Sequence, residues 1–375
     1  MRKTGTYQAS ADLRFFVPYP LPPKDPPLEL NGEITALSSE ASFALGQLNE
    51  LSERLPDPER FIRAYVIKEA LLSSAIEGVH TTLVDVFTQS IDDDAKPNKE
   101  TNLVLNYTRA LEDALRMIQG DGLPISTRVI LAAHKTLMTA GQEAGAAPGQ
   151  FRKQSVRVGE FVPPAAPEIP RLMGELENYI NELEGLPDII KAGLVHVQFE
   201  TIHPFLDGNG RIGRMLIVLM LVYDELLNTP VLYPSYYFKK RRLEYYQRLD
   251  RVHTQGDFEG WVAFYLRVIR DSAVDAYSRA KDIEALELSI KETIQNKPDF
   301  VRTRETALAA IGYLFCQPVT TITAMSETTG KVYNTTQNIL REFMGQGWVS
   351  ENIISERNRR YRFDPYLALL EKDYA

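Results

Sequence analysis

Apolar positions recur mostly at three- and four-residue spacing, which predicts a chain built largely of helices. From Glu33 to Ile76 the pattern is helical, with Leu48, Leu51 and Leu55 at helical spacing and a break at Pro56-Asp57-Pro58. Ser38 and Ser39 are the expected caps there. Further helices are expected over 99–119, ending at Gly120-Asp121-Gly122, and over 126–138, 171–183, 188–201, 213–226, 239–253 and 258–282. Ahead of them, residues 15–28 (FFVPYPLPPKDPPL) are too proline-dense for a helix. They predict an extended arm that buries Phe15, Phe16, Tyr19 and Leu21. Ser155 to Val162 instead alternates in twos around Gly159, closed by Pro163, Pro164 and Pro167, and reads as a small β-hairpin.

Past a break at Gln295–Pro298, helices are expected over 304–315, 319–328 and 332–345. A strand at Gly347-Trp348-Val349 and a basic strand ending near Phe363 follow. Helix, helix-turn-helix and β-wing in that order predict a winged helix. Lys331 and Arg341 are the positive residues in or beside its presumed recognition helix, and Arg357, Arg359, Arg360 and Arg362 lie on the wing. Acidic residues nearly balance them across the segment, so protein contact is expected over DNA binding.

Composition narrows the field. The 375 residues exceed one ordinary core, so two or three domains are expected. Net charge is −8, which disfavours general nucleic-acid binding. One cysteine, Cys316, excludes an internal disulfide and a cysteine metal cage. The first ten residues hold no apolar signal core, and no run of about 18 apolar residues exists to span a membrane. A cytoplasmic protein is expected.

The chemistry concentrates in His203-Pro204-Phe205-Leu206-Asp207-Gly208-Asn209-Gly210-Arg211-Ile212-Gly213-Arg214. Gly208-Asn209-Gly210 permits a turn that aims several backbone N–H groups at one point, and the helix that follows adds its positive end. Arg211 and Arg214 lie one turn apart, and two guanidinium groups beside such a nest suit a polyphosphate. Asp207, repulsive to phosphate alone, makes sense as a Mg²⁺ ligand. His203 has the pKa range of a general base. Phe205 is expected to anchor the loop in the core.

These twelve residues match the signature of Fic proteins without departure, and the helical layout from about 30 to 280 resembles that family. The resemblance implies a mainly α fold: a Fic-type helical core with a small β-hairpin flap, plus the C-terminal winged helix-turn-helix. It divides the chain into an N-terminal arm and helical region (1–110), a Fic core (111–285) and the winged-helix region (296–375). It implies a protein adenylyltransferase moving AMP from ATP to Ser, Thr or Tyr hydroxyls of target proteins and of itself. His203 would be the base, and Asp207 would hold Mg²⁺ on the α- and β-phosphates. Gly208, Asn209 and Gly210 would cradle phosphates, Arg211 would meet the β-phosphate and Arg214 the γ-phosphate. Tyr246 would line the adenosine pocket, and the 155–162 hairpin would dock the target by strand addition. A homodimer is compatible with the resemblance. The alternatives are transfer of another nucleotide or phosphate-containing group, or a nucleotide-sensing DNA-binding regulator.

Ser73-Ser74-Ala75-Ile76-Glu77-Gly78 ends an early helix, with Ser73 and Glu77 on one face. It resembles the inhibitory helix of Fic proteins whose brake precedes the core. Glu77 is expected to bridge Arg214 in a bidentate pair.

Overall fold

The computed structural model describes residues 2–10, 13–54, 58–91, 98–139, 147–182, 185–355 and 358–373. Leu55, Pro56, Asp57 and Arg357 lie outside the described residues. The chain opens with antiparallel strands β1 (Gly5–Ser10) and β2 (Leu13–Pro18). The expected arm is therefore half of a hairpin. It buries Phe15, Phe16 and Leu21 but leaves Tyr19 exposed.

The helical body comprises α1 (Gly32–Arg54), α2 (Pro58–Ile76), α3 (Leu83–Gln89), α4 (Lys99–Leu115), α5 (Thr127–Met138) and α6 (Ile169–Ile180). Then come α7 (Asp188–Ile202), α8 (Asn209–Tyr223), α9 (Ser235–Lys240), α10 (Arg242–Gln255) and α11 (Phe258–Asn296). Ser38 and Ser39 are not caps: both lie inside α1. Asn31 caps it, its Oδ1 accepting from the Ile34 amide at 3.0 Å. A π-helical turn, Arg116–Gly120, extends α4 to the expected glycine stop.

α7 and α8 form the buried centre, with apolar residues on every side. That explains the absence of a polar stripe along either. The 39-residue α11 packs along α1 and beside α7. Gly193 admits this approach, because a Cβ there would strike the Tyr265 ring, and its carbonyl accepts from Trp261 Nε1 at 2.8 Å.

The C-terminal part holds α12 (Arg304–Cys316), β3 (Val319–Thr320), α13 (Ile322–Thr329) and α14 (Tyr333–Gly345). β4 (Val349–Ser355), β5 (Asn358–Phe363) and α15 (Asp364–Glu371) complete it, and the sheet runs β3-β5-β4, antiparallel throughout. α15 returns to the body. Buried Lys68 of α2 donates to the Leu370 carbonyl at 2.8 Å. Arg279 of α11 donates to the carbonyls of Leu369 and Lys372. Two cations thus close the negative end of α15. No helix among the described residues is long and apolar enough to cross a membrane.

Candidate active site

The motif joins the end of α7 to the start of α8. His203 ends α7 in a left-handed conformation, φ 51° and ψ 60°, which turns its ring out of the helix line. Phe205 is fully buried and stacks on His134, ring centres 3.7 Å apart. Asn209 spans the loop: its side chain accepts from the Phe205 amide and donates to the Phe205 carbonyl, both at 2.8 Å. Its side-chain amide is thus committed to holding the turn. The first-turn N–H groups of α8 have no acceptor within the helix. Gly208, at φ 82°, permits this entry.

His134 fixes the loop from below. The Gly149 amide donates to its Nδ1 at 3.0 Å, so Nε2 carries the proton and donates to the Asp207 carbonyl at 3.1 Å. Burial pushes His134 down to about 4, which keeps it neutral in this role. The Asp207 carboxylate is half exposed and accepts from Arg211 Nη2 at 3.1 Å. Arg211 is buried, yet its Nε and Nη1 have no hydrogen-bond partner among the described residues. Two such donors at a helix N-terminus call for anionic oxygen.

Arg214 is fully buried and turned toward α2. Its Nε donates to Ser73 Oγ at 2.9 Å, and its Nη2 to the Ser73 carbonyl at 3.0 Å and to Glu77 Oε1 at 2.7 Å. The expected bidentate bridge is therefore a single-nitrogen contact. Ser73 takes the remaining reach of the fork, because the α2 backbone lies against it. Burial opposes the charge of Arg214, but Glu77, Tyr245 and Glu200 outweigh it and raise its pKa. The Glu77 carboxylate also rests on Gly210, where any Cβ would collide with it. It occupies the positive end of α8.

His203 is held low, at about 4, mainly by burial. Its Nδ1 lies 3.3 Å from the Glu200 carbonyl. Glu200, one turn earlier, is raised to about 7 by burial against the pull of Arg214, with Glu77 adding to the rise. Arg152 ties the motif to the preceding segment. It donates to the carbonyls of His203 (2.8 Å), Gln154 (2.9 Å) and Pro164 (2.7 Å), and its own amide donates to Pro204 at 2.9 Å.

The expected hairpin over 155–162 is smaller than the alternation suggested. Val158 and Phe161 pair across a two-residue turn as an isolated bridge, without a strand ladder. Pro163 and Pro164 cut the returning arm short, and the Val162 carbonyl is taken by the Phe16 amide of β2 at 3.0 Å. A cavity of about 300 Å³ lies between this turn and α10, lined by Val158, Phe161, His203, Tyr246, Leu249 and His253 among others. Tyr246 therefore shares a cavity with His203. Its neighbour Tyr245 is buried and donates to His196 Nε2 at 2.8 Å, while His196 Nδ1 bonds the Gly213 carbonyl at 2.8 Å.

The structure thus gathers all the residues expected from the sequence: His203, Asp207 and Arg211 around the turn, Arg214 with Ser73 and Glu77 behind it, Tyr246 across the cavity. Sequence reasoning missed Arg152, His134 and Glu200. Glu200 had a signal, one helical turn before His203. Arg152 and His134 had none.

A glycine turn ahead of a buried helix, with an imidazole beside it and a carboxylate on its rear arginine, is set in a mainly helical body. Comparison with known proteins goes further. Residues 124–221 match the Fic/DOC family, and residues 35–116 match the Fic/DOC family N-terminal region. The chain carries a Fic domain together with that family's N-terminal region. Proteins named protein adenylyltransferase Fic are similar to it: that of Drosophila grimshawi is 30% identical over 197 residues, and that of Drosophila erecta 31% over 199 residues. These alignments cover 51% of this chain but 39% and 38% of the two relatives, so the chain spans less than half of their length. A crystal structure of a Fic family protein from Desulfovibrio desulfuricans is 25% identical, with a TM-score of 0.55 over 90% of this chain and 98% of that one.

Proposed function

We propose that this chain is a protein adenylyltransferase, transferring AMP from ATP to a hydroxyl of a target protein, held in check by Glu77. The attacking hydroxyl oxygen forms a bond to the α-phosphorus as the bond to the bridging oxygen breaks. His203 takes the hydroxyl proton, and pyrophosphate leaves. Its low pKa keeps the imidazole free to accept at neutral pH. The Gly208 amide, which here donates to Asp207 Oδ1 at 2.6 Å, the first α8 amides of 209 and 210, and Arg211 hold phosphate oxygens, and Arg214 takes the terminal phosphate once Glu77 withdraws. Positioning and charge neutralisation supply most of the rate.

Asp207 fits a Mg²⁺ site as its single protein ligand: a half-exposed hard carboxylate beside the anion nest. Among the described residues no group of three such ligands exists, so phosphate and water oxygens would complete the shell. Magnesium bound there neutralises phosphate charge. Residues 155–157 belong to no strand, and the 155–162 segment would dock a target segment laid alongside. We assign 296–375 as a winged helix-turn-helix that contacts protein, and 111–285 as the catalytic unit.

The observation that carries this reading is Arg211, buried with two unpartnered donors at the head of α8. The test is incubation of the full chain with α-labelled or γ-labelled ATP, Mg²⁺ and candidate targets. Label should pass to protein from the α position, with an AMP-sized mass gain, and His203→Ala should abolish it. Transfer of γ-label instead, or α-label transfer surviving in His203→Ala, would overturn the assignment.

A further inference from the structure

Glu200 is costly where it stands. It lies in the last turn of α7, where the helix carbonyls make the end negative and a carboxylate is disfavoured. Its side chain is only 12% exposed, and its Oε1 is buried without a hydrogen-bond partner among the described residues. Gly213 of α8 makes the space for it, because any Cβ there would strike Glu200 Oε1. A buried, unpartnered carboxylate at the negative end of a helix costs stability, and such costs gather at functional sites.

What it faces is the imidazole. Glu200 Oε2 lies 4.0 Å from His203 Nδ1, and the Glu200 carbonyl oxygen lies 3.3 Å from the same atom. A carbonyl and an ionised carboxylate only accept, so Nδ1 carries the proton of the neutral ring and Nε2 keeps a lone pair. The other charged and titratable groups around the carboxylate are Arg214 of α8, which favours its ionised form, Glu77 of α2, which opposes it, and Tyr245 of α10. Burial raises Glu200 to about 7, and withdrawal of Glu77 removes one contribution to that rise.

We propose that Glu200 is a positioning residue for His203: its carboxylate, seated against Gly213, keeps Nε2 as the accepting atom and stabilises the imidazolium that forms when Nε2 takes the hydroxyl proton. This rests on the proposed transferase function. The O–H bond breaks as the oxygen bonds to the α-phosphorus, the proton passes to Nε2, and the new positive charge stands at ion-pair distance from Glu200. The backbone carbonyl serves the neutral ring, and the carboxylate acts as the ring becomes charged. An opposite charge at that range favours the protonated ring of the transition state over the neutral ring of the ground state, which is where a gain in rate arises.

The test compares the full chain carrying Glu77→Gly with the same chain carrying Glu200→Gln as well. It reads kcat for transfer of α-label from pH 8 to pH 5, with ATP affinity measured by calorimetry alongside. Glutamine keeps the shape that rests on Gly213 and removes the charge. At pH 8 kcat should fall by about tenfold or more, with KM for ATP and ATP affinity changed far less. Glu200 of the parent takes up a proton as pH falls through about 7 and below, so the two proteins should converge toward pH 5. Equal kcat at pH 8, or a ratio that stays the same down to pH 5, overturns the assignment. A loss confined to KM or ATP affinity overturns it too, and leaves Glu200 as a counterion of Arg214. A parent that binds ATP but passes no α-label to protein defeats the transferase reading and this role with it. An active parent indifferent to Glu200→Gln defeats this role alone.

Discussion

Arg214 spends its hydrogen bonds on α2: two on Ser73 and one on Glu77. A terminal phosphate offered to it must displace a carboxylate already seated at the head of α8. In the proposed brake, charge carries the block more than shape, so the neutral isostere should release part of it. Glu77→Gln is expected to show transfer between that of the wild type and that of Glu77→Gly, measured with α-labelled ATP. Proton transfer has its own signature. An ordinary histidine gives an acid limb near pH 6.5, but burial holds His203 near 4. The base is lost only as pH falls through that lower value. In the Glu77→Gly background, the acid limb of kcat/KM assigned to His203 should therefore lie near pH 4, with no loss between pH 8 and 6 from this group. A limb at 6.5 that vanishes in no other variant would place His203 in water rather than in the buried setting described.

Elements were legible in proportion to their length and pattern. The motif could be read because its turn, base, carboxylate and arginines fall within twelve consecutive positions, and a loop-to-helix junction keeps such neighbours together. The helices α1, α2, α4 and the first part of α11, to 282, were legible from their apolar spacing, whereas α11 runs on to Asn296. β1 was not legible, because its sequence GTYQAS offers only Tyr7 and Ala9 as apolar positions. α15 is only eight residues long and begins at Asp364-Pro365, so periodicity had little to act on. Asn31 rather than Ser38 or Ser39 caps α1 because the helix starts about two turns earlier than the serines suggest. Asn31→Ala should cost about 1 kcal/mol of stability, the usual worth of an N-cap, in denaturant unfolding. Arg152 was illegible for a different reason: its partners come from residues far along the chain, and periodicity names a buried face without naming what it meets. Arg152→Met leaves buried carbonyls of His203 and Pro164 unpaired and should destabilise by about 2–3 kcal/mol. Transfer should fall with it, since the same carbonyls fix the start of the motif loop proposed to be catalytic.

On the scale of the whole molecule, α2 is the shared part. Its Lys68 holds the end of α15, its buried Glu69 accepts from Ser235 of α9, and Ser73 and Glu77 occupy Arg214. α11 adds a second hold on α15 through Arg279, whose partner Asp275 is equally buried. Removing Arg279 leaves that carboxylate uncompensated, so Arg279→Met should cost about 3–5 kcal/mol. Hydrogen exchange should then rise first in 364–371. The account as a whole stands on Glu77 holding the place of a phosphate without closing the pocket. Its most direct measurement is the turnover of Glu77→Gly against wild type at saturating ATP. A rise of at least about tenfold in kcat, with KM for ATP changed far less, is predicted, since the brake misplaces bound nucleotide rather than excluding it. Equal kcat in the two proteins would contradict the account.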